Sequence, residues 1–236
     1  MKEIEIAIDG ESTSALLYAA RPLPAEATGA TLILAHGAGA GQRHPFITAF
    51  ARGLSERGID VVTFDFLYMH RRRQVPDRMP QLVACYRAVI AAAHEHLDSA
   101  RQRLVIGGKS MGGRAATHVA AEDPALDLGG IVLLGYPLHP PGRPEKMRDA
   151  HLPSVKRPML FVQGARDTFG TPDELRPVLA TLSPTPTLHV VEGGDHSFKV
   201  GGRSTAKQAE LFDGIQNLIA DWIFGLPASE GSVGRR

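Results

Sequence analysis

The sequence predicts an α/β domain in which a parallel sheet is covered by helices on both faces. Two observations carry that reading. Short apolar runs of strand length alternate with longer segments of helical spacing along nearly the whole chain. The 236 residues suit one such domain, and no internal repeat or long linker divides them. A single domain is expected over residues 1–226, with a disordered small and polar tail over 227–236.

The elements follow in order. Glu3–Ile8 alternates like a half-exposed strand, with Ala15–Ala20 as its hairpin partner. Pro22–Gly29 is a loop. Thr31–Ala35 is an apolar run suited to a strand buried on both faces. Helical spacing runs from Pro45 to about Arg57, then Asp60–Asp65 forms a second buried strand. Leu82, Tyr86, Val89 and Ala93 share a helical face. Arg103–Gly107 is a strand and Met111–Ala121 a helix of small residues. Gly130–Leu134 is a strand, followed by a Pro-rich loop from Pro137 to Pro158. Met159–Gln163 is a strand, and Pro172–Leu182 a helix with Pro in its first turn. Thr187–Val191 is the last strand. The final helix starts near Thr205, where Thr205 and Gln208 have capping-box spacing.

Composition excludes several classes. Hydrophobic residues make up 43% and charged residues 22%, as in an ordinary globular protein. A formal net charge of +1 gives no electrostatic case for nucleic acid or an anionic membrane. No apolar run approaches the roughly 20 residues of a membrane span, and the N-terminal segment MKEIEIAIDG lacks a signal-peptide core. The lone Cys85 has no internal disulfide partner, which fits a reducing compartment. Its helical position suits a packed small apolar side chain. A cytoplasmic location is the expectation.

The segment VIGGKSMGG (105–113) admits two readings. Gly108-Lys109-Ser110 resembles the end of a phosphate-binding loop, but that motif needs a glycine five residues before Gly108, where Arg103 stands. Gly108-Lys109-Ser110-Met111-Gly112 fits G-x-S-x-G, a serine at the tip of a sharp strand-to-helix turn. A buried strand before Ser110 and a helix directly after it supply that context. The helix N-terminus also favours negative charge developing beside the serine.

A serine hydroxyl needs a base, and the base an orienting acid. In a strand–elbow–helix site the acid and then the histidine follow the serine along the chain. Asp167 lies just past one strand and His196 just past the last, so both project from the edge that carries Ser110. Asp195 adjoins His196 and is read as organising the turn. The backbone N–H of Met111 is one expected oxyanion donor. The small-residue loop His36–Gly41 supplies the other, from Ala38 or alternatively Gly39. His36 is read as scaffold.

These motifs resemble the α/β-hydrolase superfamily from Glu3 to about Phe224. Within it, LAHGAGAG (34–41), GGKSMGGR (107–114), LFVQGARDTFG (160–170) and GGDHSF (193–198) resemble the small dienelactone-hydrolase-like predicted hydrolases. That group includes the hydrolase-like subunit of the NSL chromatin complex. The resemblance implies an eight-stranded, mostly parallel sheet with an antiparallel second strand. It carries triad roles onto Ser110, Asp167 and His196, and oxyanion roles onto Ala38 and Met111. Dienelactone hydrolases proper use a cysteine nucleophile, so dienelactone is not implied as substrate.

The expected activity is hydrolysis of a small ester or thioester through an acyl-enzyme, with no metal or organic cofactor and no nucleic-acid or membrane partner. The alternatives are a hydrolase-like binding or scaffolding protein without relevant turnover, and a peptidase using the same triad. Only about two dozen residues separate Leu134 from Met159, so a short flap and no large cap domain are expected. Tyr68, His70, Arg71 and Lys109 are the candidate substrate-binding residues. The basic rim they belong to, with Arg72, Arg73, Arg143, Lys146 and Arg148, reads either as recognition of a carboxylate or phosphate or as a solvated charged surface.

Overall fold

A computed structural model describes residues 1–22 and 29–227. Most of the loop expected over 22–29 and nearly all of the expected tail therefore lie outside the described residues.

Eight strands form one sheet in the order β1-β2-β4-β3-β5-β6-β7-β8. They are β1 (Lys2–Ile8), β2 (Glu11–Tyr18), β3 (Ala30–Ala35), β4 (Ile59–Phe64), β5 (Leu104–Lys109), β6 (Gly130–Leu134), β7 (Met159–Gly164) and β8 (Thr187–Val191). β2 runs antiparallel to both of its neighbours, and the pairs from β4 to β8 are parallel. The helices are α1 (Pro45–Glu56), α2 (Leu67–His70), α3 (Met79–His96), α4 (Asp98–Gln102), α5 (Met111–Glu122), α6 (Pro172–Leu179) and α7 (Thr205–Gly225). The short α2 and α4 were not expected, because one turn is too short to show apolar periodicity.

Successive strand side chains point to opposite faces, which divides the core in two. Leu32 and Leu34 of β3, Val105 of β5 and Leu160 of β7 pack with α1 and α7. Ile33 and Ala35, Ile106 and Phe161 from the same strands pack with α3 and α5 on the other face. Burial on both sides explains why these strands read as unbroken apolar runs.

Beyond shifts of one or two residues, two boundaries and one cap differ from expectation for local reasons. β2 starts at Glu11 because Asp9 (φ +46°) and Gly10 (φ +82°) make a two-residue hairpin turn that pairs Ile8 with Glu11. α6 ends at Leu179, although Leu182 is still buried. α7 is capped by Ser204, whose side chain accepts from the N–H of Lys207, so the capping box placed at Thr205 does not form. Gln208 is used elsewhere: its amide donates to the Phe198 carbonyl (2.9 Å) and its oxygen accepts from the Val200 N–H (3.3 Å), holding the loop after β8.

The loops after β3, β5, β7 and β8 all leave the carboxyl edge of the parallel strands, where open α/β sheets place ligands. Between β6 and β7 lies a short flap of loop and one 3-10 turn (Leu152–Ser154), with no large cap.

Candidate active site

Ser110 stands between the end of β5 and the first residue of α5, at φ +53° and ψ −117°. A non-glycine residue held there costs about 1–3 kcal/mol, so the surroundings must impose it. The Ser110 N–H donates to the Leu134 carbonyl (3.0 Å), and its carbonyl accepts from the Arg114 N–H (3.0 Å). The turn also needs bare backbone beside it. A Cβ on Gly108 would lie 2.6 Å from the Ala35 carbonyl oxygen, and one on Gly112 would lie 2.6 Å from those of both Ala35 and His36. Glycines at these two positions let the elbow seat directly on the end of β3.

The β3 loop is fastened from behind. Buried His36 bonds through Nδ1 to the Gly37 carbonyl (2.8 Å), and its Nε2 accepts from the Phe66 N–H (3.1 Å). The two partners fix the neutral tautomer with the proton on Nδ1. Burial holds this imidazole below its ordinary pKa. The Asp65 carboxylate accepts from the Gln42 N–H (2.7 Å) and closes the far end of the loop. Within it, Ala40 donates to Gly37 across a tight turn. Among the described residues, the backbone N–H groups of Ala38 and Met111 have no acceptor, whereas that of Gly39 is turned toward the Tyr68 phenol oxygen. All three residues line the same cavity as Ser110.

Asp167 follows β7 and is fully buried. Its Oδ2 accepts from His196 Nδ1 (2.7 Å) and from the Gln163 side-chain amide (2.8 Å), and its Oδ1 accepts from the Phe169 N–H (2.8 Å). Three donors hold this buried carboxylate in one orientation. With its Nδ1 proton directed at Asp167, His196 presents Nε2 as the free acceptor. The His196 ring stacks on Phe169 (centroids 4.3 Å apart) and is 21% exposed on the cavity that holds Ser110. Asp195 does organise the turn, its carboxylate accepting from the Ser197 (2.8 Å) and Lys199 (2.9 Å) N–H groups.

Gln163 is a site residue that sequence reasoning missed. Its amide nitrogen reaches Asp167 and the Gly170 carbonyl (2.7 Å), while its oxygen accepts from the Tyr136 N–H (2.8 Å). A lone polar residue inside the apolar strand MLFVQG was the available signal.

The cavity measures about 560 Å³ and is lined on one side by the β3 loop and on another by α5 and the flap. Of the four residues expected to contact substrate, Lys109 borders it. Lys109 is 8% exposed, and burial pulls its ammonium down to about 8 against the opposing pull of Asp167 and Asp195. Tyr68, His70 and Arg71 do not border the cavity. Tyr68 is buried against His36, and burial pushes its phenol up to about 12. His70 and Arg71 are exposed at the end of α2, and Arg71 is paired with Glu11. Most of the basic rim is solvated in the same way, whereas Arg114, which sequence reasoning did not single out, faces the cavity.

A family model described as an alpha/beta hydrolase domain matches residues 28–224. The chain belongs to the α/β-hydrolase family. Solved structures agree on the architecture. One is an alpha-beta serine hydrolase homologue from Coxiella burnetii, 16% identical with a TM-score of 0.73, covering 94% of this chain and 97% of its own. A dienelactone hydrolase from Anabaena variabilis is 20% identical with a TM-score of 0.71, covering 95% and 97%. A lidless serine hydrolase from Xanthomonas campestris is 19% identical with a TM-score of 0.68, covering 96% of each chain. At these identities the likeness is one of fold. The likeness to the chromatin-complex subunit rests on the sequence motifs alone. No helix among the described residues is long and apolar enough to cross a membrane.

Proposed function

We propose that this α/β hydrolase cleaves a small ester or thioester through a Ser110–His196–Asp167 triad. One observation carries the reading. A serine held in a strained elbow shares a cavity with a histidine whose other ring nitrogen is bonded to a buried, fully partnered aspartate.

In this mechanism Ser110 Oγ attacks the carbonyl carbon while His196 Nε2 takes its proton. The N–H groups of Met111 and Ala38, or alternatively Gly39, receive the oxyanion, each donor being worth about 3 kcal/mol. Collapse breaks the bond to the leaving oxygen or sulfur, which departs with the proton from His196. Water, deprotonated by His196, then attacks the acyl-enzyme and releases the acid. Asp167 holds the tautomer and stabilises the imidazolium without itself being protonated.

The test is fluorophosphonate labelling with mass-spectrometric mapping, alongside turnover of an activated short-chain ester. Labelling at Ser110, and a fall in turnover of about 10⁴-fold or more in a folded Ser110→Ala variant, is the expected result. A protein that takes no label and has the same ester turnover with and without the Ser110 hydroxyl is a binding protein on this fold.

A further inference from the structure

Two arginines, one on α5 and one on the flap, line the cavity. Arg114 is one helical turn beyond Ser110, at the i+4 spacing that places two residues on the same face of a helix. Arg148 reaches the cavity from the flap. The flap is fixed at that point by the Arg148 N–H donating to the Leu138 carbonyl (2.8 Å) and the Tyr136 hydroxyl donating to the Arg148 carbonyl (2.7 Å). Both arginines line the space that Ser110 and Phe169 also line.

Neither charge is answered by the protein. Among the described residues, neither arginine side chain makes an ion pair, and Arg114 Nε is sealed from solvent with no acceptor. Burial, and beyond it the charge of Arg148, works against the charge of Arg114, with Tyr136 opposing them. Behind Arg114 sit His118 and His151, stacked at 3.7 Å and kept neutral by their burial, so they add no further positive charge, and an imidazole has no negative charge to offer. Asp77 also borders the cavity, but its carboxylate is paired with Arg73. Lys109, across the cavity, feels the negative charge of Asp167 and Asp195. Two like-charged forks held beside a nucleophile, with no carboxylate paired to either, form a preorganised site for an anion, and the guanidinium fork matches a planar carboxylate.

We propose that Arg114 and Arg148 bind a carboxylate carried by the substrate, so that the preferred substrate is an anionic ester with its carboxylate a few bonds from the scissile carbonyl, such as the half-ester of a short dicarboxylic acid. This rests on the hydrolase reading above and assigns its substrate class.

The experiment compares kcat/KM for monoethyl glutarate with that for ethyl pentanoate on the same preparation, so that any general loss of active protein cancels in the ratio. Wild type favours the half-ester by at least about tenfold, as charge-assisted hydrogen bonds require. Arg114→Gln and Arg148→Gln each cut the ratio about tenfold, through KM. A wild-type ratio near one, or a ratio that survives both substitutions, overturns the proposal. Calorimetry with free glutarate separates the two readings. If neither ester is turned over and no label is taken, glutarate binding that Arg148→Gln weakens tenfold still supports the anion site. No glutarate binding to wild type in that case removes it.

Discussion

The β3 loop and the α5–flap wall face each other across one cavity and are finished in opposite ways. Behind the loop, His36 has a partner on each ring nitrogen and Asp65 anchors the Gln42 backbone. The Tyr86 hydroxyl sits between β3 and β5, donating toward the carbonyls of Ile33 (2.9 Å) and Gly107 (2.7 Å) and accepting from the Gly107 N–H (2.9 Å). Across the cavity Arg114 Nε, and behind it His118 Nε2, are buried with no partner among the described residues. Folded proteins rarely leave buried polar atoms unpaired, and where they do a ligand site is a physical explanation. One wall is completed by the chain itself, apart from the buried Tyr68 hydroxyl beside Gly39. The other is completed by what binds.

The comparison can be broken in four places. The largest effect is expected at the elbow. Gly112→Ala puts a methyl group on two carbonyl oxygens at 2.6 Å, displaces Ser110, and lowers kcat/KM by about 100-fold or more. Next, His36→Leu strands the Gly37 carbonyl and Phe66 N–H, costing about 2–3 kcal/mol in urea unfolding. Tyr86→Phe leaves the Gly107 N–H without its acceptor and costs about 1–2 kcal/mol by the same measurement. The finished wall is contradicted if both variants unfold at the wild-type urea midpoint. The smallest effect lies opposite. Arg114→Met should leave the free energy of urea unfolding unchanged or raise it by up to about 1 kcal/mol, because it removes a buried Nε that has no partner. A loss of 2 kcal/mol or more there, on the scale of a broken buried hydrogen bond, would make this wall structural.

Acid sharpens the same contrast. Burial lowers His118 to about 4 and His151 to about 3, from an ordinary value of 6.5. The unfolded chain therefore takes up protons first as pH falls. Stability from this pair is complete above about pH 6.5 and is lost progressively as pH drops toward 4. Urea midpoints measured from pH 7.5 to 4.5 should fall on acidification, and less steeply in His118→Phe, which keeps the stack without the titration. A midpoint that rises toward pH 4.5 contradicts the stacked neutral pair.

Much of the architecture was legible because buried parallel strands leave an unmistakable trace: Thr31–Ala35 and Met159–Gln163 have too few polar residues to be anything else. The elbow was legible because close approach demands glycine, which shows at Gly108 and Gly112. The order of Ser110, Asp167 and His196 was legible because each follows a strand. What was hidden depends on contacts between distant segments. Tyr86 reads as one more apolar residue on a helix face, and nothing local shows that its hydroxyl replaces a rung of the sheet. Arg114 reads as a surface charge until the flap is seen to bring Arg148 beside it. Tyr68, His70 and Arg71 were placed at the rim by proximity in sequence, but the one-turn α2 directs them away from the cavity.

The small flap over residues 135–158 bears on tempo and on product. Among the described residues no cap domain covers Ser110, so none has to swing aside before a molecule meets it. Solvent has the same free passage. An acyl group resting on that serine would be bathed in the one acceptor present at 55 molar, about the concentration of pure water, and any rival alcohol would have to outcompete it. Openness of this kind suits an enzyme that cuts and lets go.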